Sequence, residues 1–593
     1  MTFAPFEPES RRDRRLALHV PDSALDRLNA DGWIEAADVH VAARLGGLVG
    51  ESDESVLASV ALNVRAVREG SSCLDLAAVH ADLSAAGSGP PSWLPADPAA
   101  WLAAVVGSEL SAAGVVHVEF GLLYLDRYHR EETQVAADLL ARGGSAAPAL
   151  DGAALEAGLE RVFPGASWAE QRLAVRAAAY KSTTVLVGGP GTGKTSTVAG
   201  LLALLLEQAE TTGRPPRIAL AAPTGKAAAR LKESVAESLA QMPAADRERL
   251  GRVDAMTLHR LLGWRADSST RFRHNRTNPL PADIVVVDEA SMLSLTMTAR
   301  LLDALRPGTR LVLVGDPDQL ASVEAGAVLA DLVAGYGDAA DGPIVRLRTS
   351  HRFGEQIGRL ADAVRSGSAD EVVAALRDGE ATELEFVEVG DVAAAEERLR
   401  PRLLEGALGL RQLALSGDVA GALRALGQER LLCAHRDGPW GAATWNGRVQ
   451  RWLSESVGHY GRHTAGEPLL VTANDYRLGL HNGDTGLVVL GAHGRLAAAF
   501  GEPDDPVLHS VSAAAVADTA HAMTIHKSQG SQARHVTVLL PEVDSRLLTR
   551  ELLYTAITRA QERVTVVGSE AAIRGAVAHR TARASGLRHR LTL

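Results

Sequence analysis

An apolar run at 184–187 leads straight into Gly188-Gly189-Pro190-Gly191-Thr192-Gly193-Lys194-Thr195, and a helical run follows at 198–206. Strand, glycine-rich loop and helix in that order leave few folds open. They predict a parallel α/β sheet whose loop closes on nucleotide phosphates. The glycines let backbone N–H groups curl around the β- and γ-phosphates. Lys194 adds a point charge, Thr195 a hydroxyl for Mg²⁺, and the helix start the positive end of a dipole. Among 56 glycines a chance turn is the competing reading, and Lys-Thr in register after a strand argues against it.

Composition sharpens this. Of 61 basic residues only five are lysines: Lys181, Lys194, Lys226, Lys232 and Lys527. Three of them fall in segments singled out on other grounds, the phosphate loop, Pro-Thr-Gly-Lys226 and His-Lys527-Ser-Gln. The net charge of −11 is uneven, because residues 1–150 carry 11 Arg against 21 acids and the remainder is nearly neutral. The acidic part is a poor surface for phosphates, whereas a neutral remainder can still present a basic groove. No run approaches the ~20 apolar residues of a membrane span. The start of the chain lacks a basic-then-apolar signal pattern. Two distant cysteines, Cys73 and Cys433, offer neither a disulfide framework nor a metal cluster. These features predict a cytoplasmic protein.

The chain is long enough for several domains. Gly143-Gly144-Ser145-Ala146-Ala147-Pro148 reads as a linker after a mostly helical N-terminal part. Beyond it, strands are predicted at 184–187, 217–222, 283–288 and 310–315, alternating with helices. Similar runs at 431–434, 535–540 and 563–567 suggest a second α/β domain, and 468–490 reads as a small β insertion. The segment 401–430 reads as helical.

Ile284-Val285-Val286-Val287-Asp288-Glu289 is a buried strand ending in two carboxylates. Asp288 is placed to hold Mg²⁺ and Glu289 to orient or deprotonate a water, the alternative being a helix N-cap. Gln319, after the strand-like run ending at Gly315, is a candidate sensor of the γ-phosphate. Phosphoryl transfer also needs a cation on the developing charge, and Arg352 and Arg559 are candidates.

The ordered series resembles superfamily 1 helicases over about 165–570. It comprises Gln171-Arg172, the phosphate loop, Pro223-Thr224-Gly225-Lys226, Thr257-Leu258-His259-Arg260, Asp288-Glu289-Ala290-Ser291, Gly315-Asp316-Pro317-Asp318-Gln319-Leu320, His351-Arg352-Phe353, Thr524-Ile525-His526-Lys527-Ser528-Gln529-Gly530 and Tyr554-Thr555-Ala556-Ile557-Thr558-Arg559-Ala560. Val471-Thr472-Ala473-Asn474-Asp475 and Asn482-Gly483-Asp484-Thr485-Gly486 look like the RecD branch, which moves 5′ to 3′. Gly70-Ser71-Ser72-Cys73-Leu74-Asp75-Leu76 and Tyr124-Leu125-Asp126-Arg127-Tyr128 resemble RecD subunits, the alpha subunits of exodeoxyribonuclease V. The tandem helix-hairpin-helix glycine pattern of free-standing RecD-like helicases is absent from the sequence.

The resemblance implies an α/β protein with two RecA-like parallel-sheet motor domains, a small SH3-like β insertion in the second, and a mainly helical N-terminal domain. The implied divisions are 1–140 for partner docking, 150–345 for the first motor domain, 346–448 and 521–593 for the second, and 449–520 for the insertion. It implies an ATP-dependent 5′ to 3′ DNA helicase, working with RecB-like and RecC-like subunits on double-strand-break ends during recombinational repair. Gln171 would contact adenine. Gly188, Gly189, Pro190, Gly191, Thr192, Gly193, Lys194, Thr195 and Gly530 would surround ATP, with Mg²⁺ on Thr195 and Asp288. Glu289, Gln319, Arg352 and Arg559 would serve hydrolysis and coupling. Pro223, Thr224, His259, Thr524, His526 and Ser528 would lie against single-stranded DNA, gripping phosphate and sugar rather than bases. The basic stretch 264–281 is either a hairpin near the duplex junction or a solvated loop. The partner's nuclease type uses Glu-x-Lys, and none of the five lysines has an acid two positions earlier. A free-standing helicase, and a nucleotide-gated regulatory subunit without unwinding, are the alternatives.

Overall fold

The computed structural model of the protein describes residues 5–6, 13–17, 23–85, 91–144, 150–210, 213–251, 253–265, 268–337, 339, 342–349, 354–475, 477–491, 494–581 and 583–592. The N-terminal part is helical, with a small antiparallel sheet of β1 (Leu74–Asp75), β2 (Val116–Glu119) and β3 (Leu122–Leu125). Trp101 is fully buried in its core, and its indole N–H donates to the Ser55 carbonyl at 2.9 Å. That bond satisfies the one polar atom its burial would otherwise strand.

A six-stranded parallel sheet follows. It contains β4 (Thr183–Gly188), β5 (Ile218–Ala222) and β6 (Ala255–Thr257), then β9 (Ile284–Val287), β10 (Arg310–Gly315) and β11 (Ile344–Leu347). Between β6 and β9 stands a two-stranded ribbon, β7 (Trp264–Arg265) and β8 (Ser268–Phe272). The spatial order of the sheet is β11-β4-β10-β9-β5-β6. Both faces are covered, which explains why these strands read as continuous apolar runs. Val185, Val187, Val285 and Val287 enter one core, while Leu186, Ile284 and Val286 enter the core on the opposite face.

The second parallel sheet contains β12 (Leu384–Glu388) and β13 (Glu429–Cys433). The chain then leaves it for an antiparallel sheet of β14 (Pro468–Val471), β15 (Thr485–Leu490), β16 (Leu496–Glu502), β17 (Asp505–Ser510) and β18 (Ala517–Thr519). It returns with β19 (Ala522–Thr524), β20 (Ala533–Leu539) and β21 (Ala560–Gly568), giving the order β12-β21-β20-β13-β19. The expected pair of parallel sheets is therefore present. Strands β6, β11, β12 and β19 were not anticipated; each is five residues or shorter, and all four are edge strands.

The first parallel sheet borrows from both ends of the chain. The helix Asp126–Gly143 contributes Val135, Ala136 and Leu139 to its core. Arg142, near the end of that helix, is buried and donates to Thr183 Oγ1 at 2.9 Å, to the Ser182 carbonyl at 3.3 Å, and to the Thr309 carbonyl. The proposed linker thus begins as helix, and 145–149 lie outside the described residues. At the other end, residues 583–592 cross back to the first sheet, where Leu587 and Leu591 join the same core. Ser72 N–H donates to the Ala584 carbonyl at 3.0 Å, and the buried Glu132 carboxylate accepts from Ser585 Oγ at 3.0 Å and Gly586 N–H at 3.3 Å. A Cβ on Gly586 would lie 1.9 Å from the Tyr124 hydroxyl, so only glycine lets the tail enter.

Asp331, on the helix Val328–Tyr336, faces this junction. Burial pushes its carboxyl up to about 7, and the charge of Glu132 adds to the shift against Arg588 and Arg583. The folded state therefore holds a proton that the unfolded chain has released above about pH 4, and the stability this contributes is lost as pH rises through about 7. Asp331→Asn is expected to raise the thermal midpoint at pH 8, with the gain shrinking between pH 7 and pH 5. Parallel melting curves of both proteins across that range provide the check.

Candidate active site

β10 lies between β4 and β9, with Gly315 beside Val187 and Leu313 beside Val287. The segments following these strands leave the same edge of the sheet. Phosphate loop, Asp288-Glu289 and 316–319 thereby become neighbours despite their distance in sequence. They line a cavity of about 600 Å³, which Arg559 of the second sheet closes from the far side.

In the loop, Gly191 and Gly193 take φ of 79° and 83°, a region glycine enters without steric cost. The Lys194 ammonium donates to the carbonyls of Gly188 at 2.7 Å and Gly189 at 2.9 Å, and the Thr192 hydroxyl donates to Gly189 at 2.9 Å. Lys194 and Thr195 open the helix Lys194–Glu210, and both line the cavity with Pro190. Gln171 stands against the phosphate loop. It is fully buried, and its amide donates to the Thr192 carbonyl at 3.1 Å, within 3.1 Å of where a Cβ on Gly193 would sit. Its Oε1 is buried without a hydrogen-bond partner among the described residues, and Trp168, three residues earlier, lines the cavity.

Burial pushes the Asp288 carboxyl upward, and neighbouring Glu289 adds to the shift while Lys194 opposes it. Glu289 itself has φ 51°, an uncommon backbone conformation for a residue with a side chain. Carboxylate and hydroxyl oxygens from Asp288 and Thr195 are hard ligands in a desolvated, acidic position, a donor set that fits Mg²⁺. Asp316 is also buried, and it accepts from Gln319 Nε2 and from the Tyr554 hydroxyl, both at 3.1 Å. Gln319 Oε1 in turn accepts from Arg559 Nη2 at 3.0 Å. Gly530 has φ 72° and, with Arg559, stands just ahead of the paired strands β20 and β21. Arg352 lies outside the described residues.

The residues expected against DNA occupy another region. Pro223 and Thr224 follow β5, His259 follows β6, and Thr524 ends β19. The Thr224 hydroxyl caps the helix Gly225–Ala240 by accepting from Ala227 N–H at 3.2 Å. Thr524 Oγ1 accepts from Lys527 N–H at 3.3 Å. Burial lowers the pKa of His259 and of His526, with Arg583 adding to the shift at His526. Ser528 departs from expectation: it is buried, and its hydroxyl is spent on the Ile525 carbonyl at 2.7 Å. The β insertion reaches both sets. Lys527 Nζ donates to Asn482 Oδ1 at 3.0 Å, and a Cβ on Gly225 would meet His481 Cβ at 2.4 Å. In the basic stretch, Arg276 pairs with Asp303 at 2.9 Å and Asp138 at 3.1 Å, so part of its charge is spent on the body of the protein.

Comparison with known families agrees with this arrangement. The model of the RecBCD enzyme subunit RecD N-terminal domain matches 30–117. An AAA domain model matches 171–325, and a UvrD-like helicase C-terminal domain model matches 519–567. The RecBCD enzyme subunit RecD of Mycobacterium tuberculosis is 55% identical over 568 residues, covering 95% of this chain and 96% of its own length. That of Mycolicibacterium smegmatis is 54% identical, covering 94% and 97%. The chain belongs to the RecD family of superfamily 1 DNA helicases. The ATP-dependent RecD2 DNA helicase of Deinococcus radiodurans is 32% identical over 82% of this chain and 60% of its own length.

Membership accounts for a nucleotide cavity on the first sheet that is closed from the second. Trp168, Arg230 and Asp316 line this RecD-family cavity, and Tyr554 hydrogen-bonds to Asp316, yet none was singled out in the sequence. Trp168 carried no motif, and Arg230 was one arginine among many. Asp316 and Tyr554 stood inside quoted motifs without a role, because their importance lies in a contact between distant segments. Among the described residues no helix is long and apolar enough to cross a membrane.

The left-handed backbone at Glu289 stores strain beside repelled carboxylates. Glu289→Gly relieves both and is expected to raise the thermal midpoint; on the sequence reading of Glu289 as the group that deprotonates water, it also lowers ATP turnover at least ~100-fold. Calorimetry paired with a phosphate-release assay checks the two effects together.

Proposed function

We propose that this chain is the 5′ to 3′ motor subunit of a RecBCD-type complex, hydrolysing Mg-ATP to advance along one strand from a duplex end. The observation that carries the reading is the hydrogen bond between Gln319 and Arg559, which joins the two parallel sheets within the nucleotide cavity. A ligand that changes this contact changes the relation of the two sheets. Domain closure on binding and reopening after hydrolysis then turns alternating grips into steps.

Within the cavity, Gly188 to Thr195 hold the phosphates, with Lys194 neutralising their charge. Thr195 and Asp288 would hold a magnesium ion, which would supply positive charge against the phosphates. Glu289 orients and deprotonates the attacking water. Gln319 and Arg559, with Arg352 in the same role, stabilise the transferring phosphoryl group. Pro223, Thr224, His259, Thr524 and His526 contact the single strand through groups that do not discriminate bases. Gln171 supports the loop behind the nucleotide.

The relatives named as RecBCD subunits support RecB-like and RecC-like partners for this chain. The acidic N-terminal part, with Leu48 and Val106 exposed on its surface, suits a protein partner better than DNA. Lacking the Glu-x-Lys signature, the subunit leaves cutting to a partner.

Unwinding by the purified chain on duplexes with a 5′ or a 3′ overhang tests the motor. Opening only from the 5′ overhang, lost in Lys194→Gln, is the expected outcome. Opening from the 3′ overhang would reverse the polarity. DNA-stimulated ATPase without unwinding, restored by co-purified partners, would place helicase activity in the complex alone.

A further inference from the structure

Tyr554 belongs to the helix Arg550–Ile557 of the second sheet, yet its hydroxyl lies against the first. It donates to Asp316 Oδ2 at 3.1 Å and stands 3.2 Å from where a Cβ on Gly189 would lie, so it reaches the phosphate loop itself. The same carboxylate oxygen accepts from Gln319 Nε2 at 3.1 Å. Gln319 Oε1 accepts from Arg559 Nη2 at 3.0 Å. Tyr554 and Arg559 come from one side of the cleft, Asp316 and Gln319 from the other, and all four are buried. Burial and the nearby Asp316 carboxylate both push the Tyr554 phenol upward, so it keeps its proton and remains a donor.

An amide has a donor end and an acceptor end. Gln319 offers its oxygen to Arg559 in the orientation where its nitrogen is engaged by Asp316. Asp316 is itself held by a hydroxyl from the opposite domain. Two further bonds fix the same loop to the second sheet. Leu320 N–H donates to Thr555 Oγ1 at 2.9 Å, and the Leu320 carbonyl accepts from Gln529 Nε2 at 3.0 Å. Those bonds hold the backbone, while the Tyr554 hydroxyl acts on the side chain that orients Gln319.

We infer that Tyr554 is a positioning residue for ATP turnover: it clamps Asp316 so that Gln319 and Arg559 are aligned when a terminal phosphate replaces Gln319 as the acceptor for Arg559. The inference rests on the nucleotide reading given above. The hydroxyl's hydrogen bond goes to Asp316, and Tyr554 acts through it.

Tyr554→Phe removes the hydroxyl and keeps the ring. In the full-length chain it is expected to lower kcat of the DNA-stimulated ATPase at least ~10-fold while KM for ATP stays within about twofold, since Lys194 is untouched and the hydroxyl that is lost hydrogen-bonds to Asp316 rather than to the loop. The thermal midpoint should stay within a few degrees. Adding Tyr554→Phe to Asp316→Asn should cause no further loss, because both act through one contact. A merely structural role would instead lower the midpoint and raise KM. Unchanged kcat in Tyr554→Phe, a matched rise in KM, or losses that multiply in the double variant would each overturn the inference. If Phe lowers the midpoint substantially, the same comparison at a temperature where both variants are folded decides the matter. A native chain without DNA-stimulated ATPase would overturn the nucleotide reading and this inference with it, whereas an active native chain with an equally active Tyr554→Phe overturns this inference alone.

Discussion

The bond from Arg559 to Gln319 is the contact on which the rest of this structure turns. It links two separately wound parallel sheets at the bottom of a nucleotide cavity, and both partners are buried. A guanidinium out of water needs compensation, and burial lowers the pKa of Arg559 even though the charges of Glu289 and Asp316 oppose the shift. Two of its other N–H groups find backbone carbonyls, Thr555 at 3.2 Å and Ser531 at 3.4 Å. A cation anchored to its own domain and aimed at the other domain's glutamine is sensitive to whatever anion enters between them. That makes the cavity both a binding site and a joint.

The electrostatics of the first sheet serve the same end. Asp288 and Asp316 emerge from adjacent strands into a site where burial disfavours their charge and Lys194 favours it. The carboxylates are held by the order of strands rather than by mutual attraction, since Glu289 and Asp288 repel. The strained backbone at Glu289 is of a piece with this: function places a side chain where folding alone would place glycine.

The chain's two ends are tied together beside this machinery. The helix Asp126–Gly143 and the tail 583–592 both pack on the first sheet, although the tail emerges from the second. Arg583 donates to the Glu324 and Gly326 carbonyls at 3.2 Å each, close to the loop that carries Gln319, and Gly326 N–H donates to the Gly70 carbonyl at 2.9 Å. The N-terminal part is thus in register with a segment just beyond the nucleotide loop. A division of the chain by sequence position alone assigns the tail to the second motor domain; its packing joins it to the first.

Some of this was determined by the sequence itself. The phosphate loop, the strand Ile284–Val287 with Asp288-Glu289 behind it, and the strands β10, β20 and β21 all carry local signatures, because strands buried on both faces must be apolar along their whole length. Short edge strands such as β6 and β19 carry no such demand and were not legible. The site divides in the same way. Lys194 and Thr195 stand in one contiguous loop, so spacing alone singles them out, and both line the cavity. The burial of Ser528, the place of Gln171 against the loop, the hydroxyl of Tyr554 on Asp316 and the packing of the tail against Glu132 depend on which distant segments meet. Sequence records the backbone's local preferences; only the packed sheets decide which side chains share a cavity, because that follows from strand order and not from separation along the chain.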